Sequence, residues 1–333
     1  MNSKVRMSDI AKALNVSTVT VSKALSDKEG VGEELRQKIK DKAQEMGYKI
    51  SSVSKAMRTG RQNNIGILIA ERYLEEDSYY WSLYQNILLE LGKKQCFGIL
   101  EIINSEQEKE LETPRIILES KVDAIIVVGQ LKRSYLKHLY EESNGKLMFL
   151  DFYDVELPVS SVIADNYNGG YGLTRYLIKK GHDDIVYYGD IHATTSIMDR
   201  GMGYFKAMLD YRKILRNNWY ISDRNEEGLL IDPVLPKDMP SAFVCNSDLS
   251  ARKLYDALVE QGYKVPGDVS LVGFDNYPND AFSIGITTME VGRDKLAMSA
   301  INVIEQVLDG SQATEKVSLA VKLVEKESVV NKT

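Results

Sequence analysis

Thr18, Val19, Ser22 and Lys23 fall at i, i+1, i+4 and i+5, so on a helix they share one face opposite Val21, Ala24 and Leu25. Their chemistry suits a DNA major groove. An ammonium donates to guanine O6 or N7, a hydroxyl reaches a base edge or a phosphate, and a valine methyl meets the thymine methyl. Ser8, Ser17 and Thr20 complete the polar set, and Ser8 and Ser17 also stand where helix N-caps are expected. Residues for catalysis are sparse. The three histidines, His138, His182 and His192, show no metal-ligand spacing such as HExxH, and the chain has neither a GxxxxGK[ST] loop nor a GxGxxG after the first apolar run of its body. We therefore expect no catalytic residue, no metal and no cofactor. The two cysteines, Cys96 and Cys245, are too few and too far apart in sequence for a disulfide framework or a Cys-rich zinc site.

The elements that must position the N-terminal face are helical. Apolar residues recur in three stripes: Ile10, Ala11 and Leu14; Val16, Val21, Ala24 and Leu25; and Leu35, Ile39, Ala43 and Met46. These predict three short helices, the first over Met7 to Leu14 and the second over Thr18 to Leu25, with Gly47 as the stop of the third. The spacing of the first two is that of a helix-turn-helix, with a plain three-helix bundle carrying a solvated polar face as the alternative. Charge favours the DNA reading. Residues 1–60 hold 12 Lys and Arg against 7 Asp and Glu, whereas residues 61–333 hold 30 against 41. A basic module on an acidic body is the expected layout for a polyanion partner. The segment KISSVSKAMRTGRQNN then reads as a linker or a marginal helix.

From Ile65 the texture changes. Short apolar runs alternate with amphipathic stretches of helical length: 65–70, 97–103, 123–128, 147–152, 184–188, 241–245, 269–274 and 317–324. Continuous apolar strands separated by helices imply parallel sheets covered on both faces, and the number of such units suits two doubly wound lobes. The N-terminus has no signal-peptide-like apolar run, and no 18-residue apolar stretch follows, so a soluble, cytoplasmic protein without a membrane partner is expected.

DIAKALNVSTVTVSKALS, the GYK that closes the third helix, SKAMRTGR and NNIGILI resemble the lactose-repressor/galactose-repressor family of bacterial transcription regulators. So do DNYNGGY (165–171), GHDDI (181–185), DRGMGYFKAM (199–208) and VPGDVSLVGFDN (265–276), and the closing TTM and VKLVEKES. The resemblance implies an α/β protein: a helix-turn-helix domain with hinge over 1–60, then a periplasmic-binding-protein-like effector and dimerisation domain over 61–333. Its first lobe would take about 62–163 and 292–317 and its second about 164–291 and 318–333. It also implies a homodimer on a near-palindromic operator. In the hinge, Met57 falls where the family places a minor-groove leucine wedge, flanked by Lys55 and Arg58. The chain departs from the family at Ile50, Ser51 and Ser54, which loosens the expected approach to the hinge.

For the effector cleft, the resemblance carries over Tyr79 and Tyr80 with Trp81 alongside, Asp151, Ser196, Arg200, Ser247 and Asp275. Each has a structural alternative: core packing for Tyr80 or Trp81, an ion pair for Arg200, a turn cap for Asp275. Where many members carry an aromatic residue after GD, this chain offers Arg224, with Trp219 or Tyr220 as alternative ring donors. Tyrosines to stack, aspartates to accept from hydroxyls and an arginine fork suit a sugar. A second arginine in the cleft raises the case for a carboxylated or phosphorylated one. The function implied is a repressor of carbohydrate-utilisation genes. A nucleobase or other non-sugar effector is the alternative, and a sugar-binding protein without a regulatory role the remote one.

Overall fold

The structure is a computed structural model and describes residues 5–48, 61–74, 78–276, 284–311 and 314–332. Lys55, Met57 and Arg58 lie outside the described residues. The chain forms two compact units, Met1–Gln62 and Asn63–Thr333.

The first unit holds α1 (Met7–Leu14), α2 (Thr18–Ala24) and α3 (Glu33–Glu45). Ile10, Val21, Ala24 and Ile39 are fully buried and form its core with Ala11 and Ala43, one face of each helix turned inward. Ser17 caps α2, its hydroxyl accepting from the Thr20 N–H at 3.0 Å. Ser8 is no cap. The first helix starts one residue earlier, behind Arg6, whose N–H donates to the Asp9 carboxylate at 2.8 Å, so Ser8 sits inside the first turn. The third helix ends at Gly47 with φ +67°, a conformation glycine adopts without penalty.

The second unit runs in order through β1 (Asn64–Ala70), α4 (Ser78–Lys93), β2 (Phe97–Ile103), α5 (Ser105–Glu110), α6 (Arg115–Leu118), β3 (Ala124–Val128), α7 (Arg133–Glu142), β4 (Leu147–Leu150) and β5 (Ser161–Ala164). It continues with α8 (Asn166–Lys179), β6 (Ile185–Tyr188), α9 (Thr195–Asp210), β7 (Tyr220–Ile221), β8 (Ala242–Cys245), α10 (Asp248–Glu260) and β9 (Ser270–Asp275). The last elements are β10 (Thr287–Glu290), α11 (Arg293–Leu308), β11 (Lys316–Leu319) and β12 (Lys322–Val324). Two six-stranded sheets result, ordered β11-β5-β4-β3-β1-β2 and β12-β10-β9-β8-β6-β7. All the paired strands are parallel except β10 and β12. The chain passes between the sheets after β5, after β10 and between β11 and β12. Every residue of β3, β4, β6, β8 and β9 is buried, which is why these strands read as unbroken apolar runs.

The run VSLAVKLV is two strands rather than one. It breaks at Ala320 and Val321, and its halves edge different sheets. The short β5 and β7 escape a periodicity test, and β10 is disguised by its threonines. Thr287 and Thr288 are fully buried, and the Thr287 hydroxyl donates to the Lys326 carbonyl at 3.1 Å. The motifs DNYNGGY and DRGMGYF pack α8 on α9. A Cβ at Gly170 would lie 2.1 Å from the Arg200 carbonyl oxygen, and one at Gly203 equally close to that of Tyr167, so only glycine permits this approach.

Candidate functional site

On α2, the side chains of Thr18, Val19 and Lys23 are exposed, while Thr20 and Ser22 are half-buried on the flank. Val19 is 65% exposed, although Val21, two residues on, is fully buried. The cations of α3 are committed to local carboxylates: Arg36 to Asp27 and Glu33, Lys40 to Asp27, Lys38 to Glu34 and Lys42 to Glu45. Among the described residues, Lys23 forms no ion pair, so its ammonium remains available to a phosphate or a guanine edge.

In the second unit a cavity of about 80 Å³ is lined by residues from both sheets. Asp151 follows β4 and Asp275 ends β9, both at the carboxyl ends of strands, where open α/β sheets hold ligands. Both aspartates have left-handed backbones, φ +72° and +102°. Non-glycine residues avoid such conformations unless the surroundings impose them, and they gather at functional sites. Of the nine residues expected here, eight line the cavity: Tyr79, Tyr80, Asp151, Ser196, Arg200, Arg224, Ser247 and Asp275. Trp81 does not. It lies partly exposed on the next face of α4, with its ring edge-on to Tyr84 at 5.9 Å. Trp219 and Tyr220 are not in the cavity wall either; Trp219 stacks on Tyr204 at 5.8 Å and meets Tyr220 edge-on.

Tyr80 donates its hydroxyl to Asp151 Oδ2 at 3.0 Å, and its ring packs between those of Tyr73 and Tyr79. Burial, and after it the Asp151 charge, pushes both the Tyr79 and the Tyr80 hydroxyls well above the ordinary range, so both stay protonated donors. Ser196 donates to the Asp151 carbonyl at 2.5 Å. Ser247 caps α10 by accepting from the Ser250 N–H at 3.1 Å. All three nitrogens of Arg200 are engaged by protein: Nε donates to Asn166 Oδ1 at 2.8 Å, Nη1 to the Asn246 carbonyl at 2.6 Å, and Nη2 pairs with Asp275 Oδ1 at 3.3 Å. Its guanidinium also lies 3.8 Å from the centre of the Phe274 ring. Burial raises the Asp275 carboxyl, with Arg200 the chief opposing influence.

Arg224 is not the free cation that its sequence position suggests. Its Nε and Nη2 donate to Asp223 at 3.1 and 3.2 Å. Asp223 is fully buried and also accepts from Asn246 Nδ2 at 2.6 Å, from the Asp190 N–H at 2.9 Å and from the Ser250 hydroxyl. Burial alone would raise this carboxyl, but Arg224, Ser250 and the Asp190 N–H together hold it below the usual range. A third arginine, Arg72, lines the cavity and is bound to the buried Glu108. Sequence reasoning missed Arg72, Tyr73, Thr194 and Asn246. Thr194 carried a signal, since ATTS before an apolar helix is an N-cap pattern, and it does cap α9 at 3.1 Å. Among the described residues no group of three or more His, Cys, Asp or Glu is arranged to hold a metal ion. No helix among them is long and apolar enough to cross a membrane.

Residues 6–51 match the family "Bacterial regulatory proteins, lacI family", and residues 174–329 match "Periplasmic binding protein-like domain". The HTH-type transcriptional repressors PurR of Klebsiella pneumoniae (strain 342) and Salmonella arizonae are each 27% identical to the chain over 337 positions, covering 97% of it and 96% of the relative. Among solved structures, the lac repressor dimer bound to operator and the anti-inducer ONPF superposes with a TM-score of 0.77 at 18% identity, covering 98% of this chain and all of that one. A transcriptional regulator CelR–cellobiose complex gives 0.70 at 17% identity, covering 97% and 99%. With a lacI-family DNA-binding module leading into a two-lobed periplasmic-binding-protein-like body, the chain belongs to the LacI family of bacterial transcriptional regulators.

Proposed function

We propose that this regulator is a cytoplasmic homodimer that represses carbohydrate-utilisation genes from a near-palindromic operator and is controlled by an uncharged polyhydroxylated molecule in the cleft. Thr18, Val19, Ser22 and Lys23 read the major groove, with Ser8, Ser17 and Thr20 beside them, and Met57 with Lys55 and Arg58 engages the minor groove. The likeness in fold to the lac repressor dimer supports the twofold arrangement.

One observation carries the effector class. Arg72, Arg200 and Arg224 are each paired with a carboxylate of their own, Glu108, Asp275 and Asp223, so the cleft has no surplus positive charge to recruit an acid. Asp151 adds carboxylate oxygens on the same wall, which accept from hydroxyls. This charge balance reverses the case for a carboxylated or phosphorylated sugar that an unpaired Arg224 would make.

The test is a thermal-shift screen of neutral sugars, sugar acids, phosphosugars and nucleobases, followed by operator binding with each hit. A cleft ligand at 100 times its dissociation constant stabilises the folded state by about 2.7 kcal/mol. We expect neutral sugars to give the shift and to change operator affinity. A shift from acidic sugars or nucleobases alone would overturn the neutral-sugar reading.

A further inference from the structure

Beside the cleft cavity lies a second cavity of about 360 Å³, and Arg72, Tyr73, Thr194, Arg224 and Gly228 line both. The inner cavity is small. A water molecule needs ~10–15 Å³ of such space and fills about 30 Å³ of bulk liquid, so 80 Å³ accommodates roughly six waters, about the volume of a single pyranose. One ring seated on Asp151 and Asp275 therefore fills the inner cavity, and anything longer passes through the neck that the five shared residues form.

The neck is built by one hairpin. Arg224 and Leu230 bridge in antiparallel fashion, and between them Asn225 Oδ1 accepts from the Glu227 and Leu229 N–H groups at 3.1 and 2.9 Å. Gly228 closes the turn with φ +83°, and a Cβ there would sit 3.5 Å from Arg72 Cδ, so the hairpin tip rests on the opposite lobe. Its residues divide between the chambers: Leu229 and Leu230 line the inner one, and Asn225, Glu226 and Glu227 the outer one. Arg224 lines both. With Nε and Nη2 held by Asp223, its Nη1 has no hydrogen-bond partner among the described residues and remains to donate at the neck. In the outer chamber, Gln130 uses Oε1 to accept from the Thr195 N–H at 2.8 Å, which leaves its Nε2 to donate near exposed Lys132 and Glu226. That mixture of donors and acceptors matches hydroxyl groups, which need both.

We infer that the two cavities are one ligand site and that the effector is an uncharged disaccharide. One ring sits on Asp151 and Asp275, the acetal oxygen, which can only accept, lies at the Arg224 neck, and the second ring occupies the outer chamber. This inference rests on the neutral-polyol reading of the cleft and adds the length of the ligand.

The experiment is isothermal calorimetry on the full chain, with a panel of neutral disaccharides, their constituent monosaccharides and a set of nucleosides. We expect a disaccharide to bind at least tenfold tighter than its own monosaccharides. The exposed outer-wall variants Lys132→Ala and Glu226→Ala, alone and combined, should weaken disaccharide binding fivefold or more and leave monosaccharide binding unchanged. Equal affinity for the two sizes would overturn the two-chamber site, as would a disaccharide indifferent to the combined variant. A nucleoside that outcompetes every disaccharide would replace the inferred second sugar with a base and overturn it too. Absence of binding by any saccharide would instead defeat the polyol reading beneath it.

Discussion

Asp223 holds the guanidinium of its own neighbour, Arg224, along its Nε–Nη2 edge, 3.1 Å from Nε and 3.2 Å from Nη2, and is itself held by Asn246, Ser250 and the Asp190 N–H. Adjacent residues on an extended strand point to opposite faces. Here the chain has just left β7, and the side chain of Arg224 folds back on Asp223. The pair converts what would be a lone cation in the cleft into a fixed, neutral dipole with one donor edge left over.

Breaking that pair from one side should be costly. Asp223→Asn leaves the Arg224 charge buried without its counterion, a change that typically costs about 3–5 kcal/mol, whereas replacing both partners by uncharged residues of similar volume is often near neutral. Chemical denaturation of the body should show a large loss for Asp223→Asn and recovery of most of it in Asp223→Asn with Arg224→Met. A double variant as unstable as the single one would mean that Asp223 acts through Asn246 and Ser250 instead.

Lys23→Ala should relax base preference within each operator half-site and cost about 1–3 kcal/mol per lost base contact. Selection from random DNA reads this directly, because a phosphate-only role would lower affinity evenly and leave the selected motif unchanged.

Much of this architecture was legible in the sequence because its inner strands are buried on both faces and its helices on one. The motifs pointed to positions whose roles became clear only in three dimensions. Gly170 and Gly203 are packing surfaces between α8 and α9, and Asp151 and Asp275 sit in left-handed backbone at strand ends. Pairing was not legible. Glu108 and Arg72 are 36 residues apart, and nothing local announces that one neutralises the other. Trp81 failed for a related reason. Adjacent helix positions differ by about 100° in direction, so Tyr80 reaches the cleft while its neighbour faces out.

His182 is buried, with Nδ1 3.0 Å from Ser241 Oγ and Nε2 3.1 Å from the Val330 carbonyl oxygen, and so fastens the C-terminal segment to the second lobe. Burial lowers its affinity for a proton below the ordinary value of 6.5, outweighing the Val330 hydrogen bond. The unfolded chain then takes up the extra proton, so this stability is complete above that ordinary value and is lost as pH falls through the depressed one. The thermal midpoint of the parent should drop on acidification from neutral pH more than that of His182→Gln, measured side by side. Parallel profiles would assign the acid sensitivity to other groups.

The first turns of α9 reach across to the other lobe four times. The Thr195 N–H donates to Gln130 Oε1 at 2.8 Å, Thr195 Oγ1 accepts from the Tyr153 N–H at 3.3 Å, Ser196 donates to the Asp151 carbonyl at 2.5 Å, and the Tyr153 hydroxyl donates to Asp199 Oδ1 at 3.1 Å. The last bond lies away from the cavity, since neither Tyr153 nor Asp199 lines it. It therefore acts on lobe closure without touching a ligand. A ligand that binds the closed arrangement better gains affinity from whatever favours closure, so removing one closing bond should weaken binding by that bond's share. Tyr153→Phe keeps the ring, which Lys316 Nζ approaches at 4.0 Å, and deletes only the donor. Its expected cost is about 0.5–1.5 kcal/mol, a few-fold to roughly tenfold in effector dissociation constant. Calorimetry should find that loss with the binding stoichiometry unchanged. Parent-like affinity would show that the hydroxyl of Tyr153 has no part in closing the lobes and that Thr195 and Ser196 suffice.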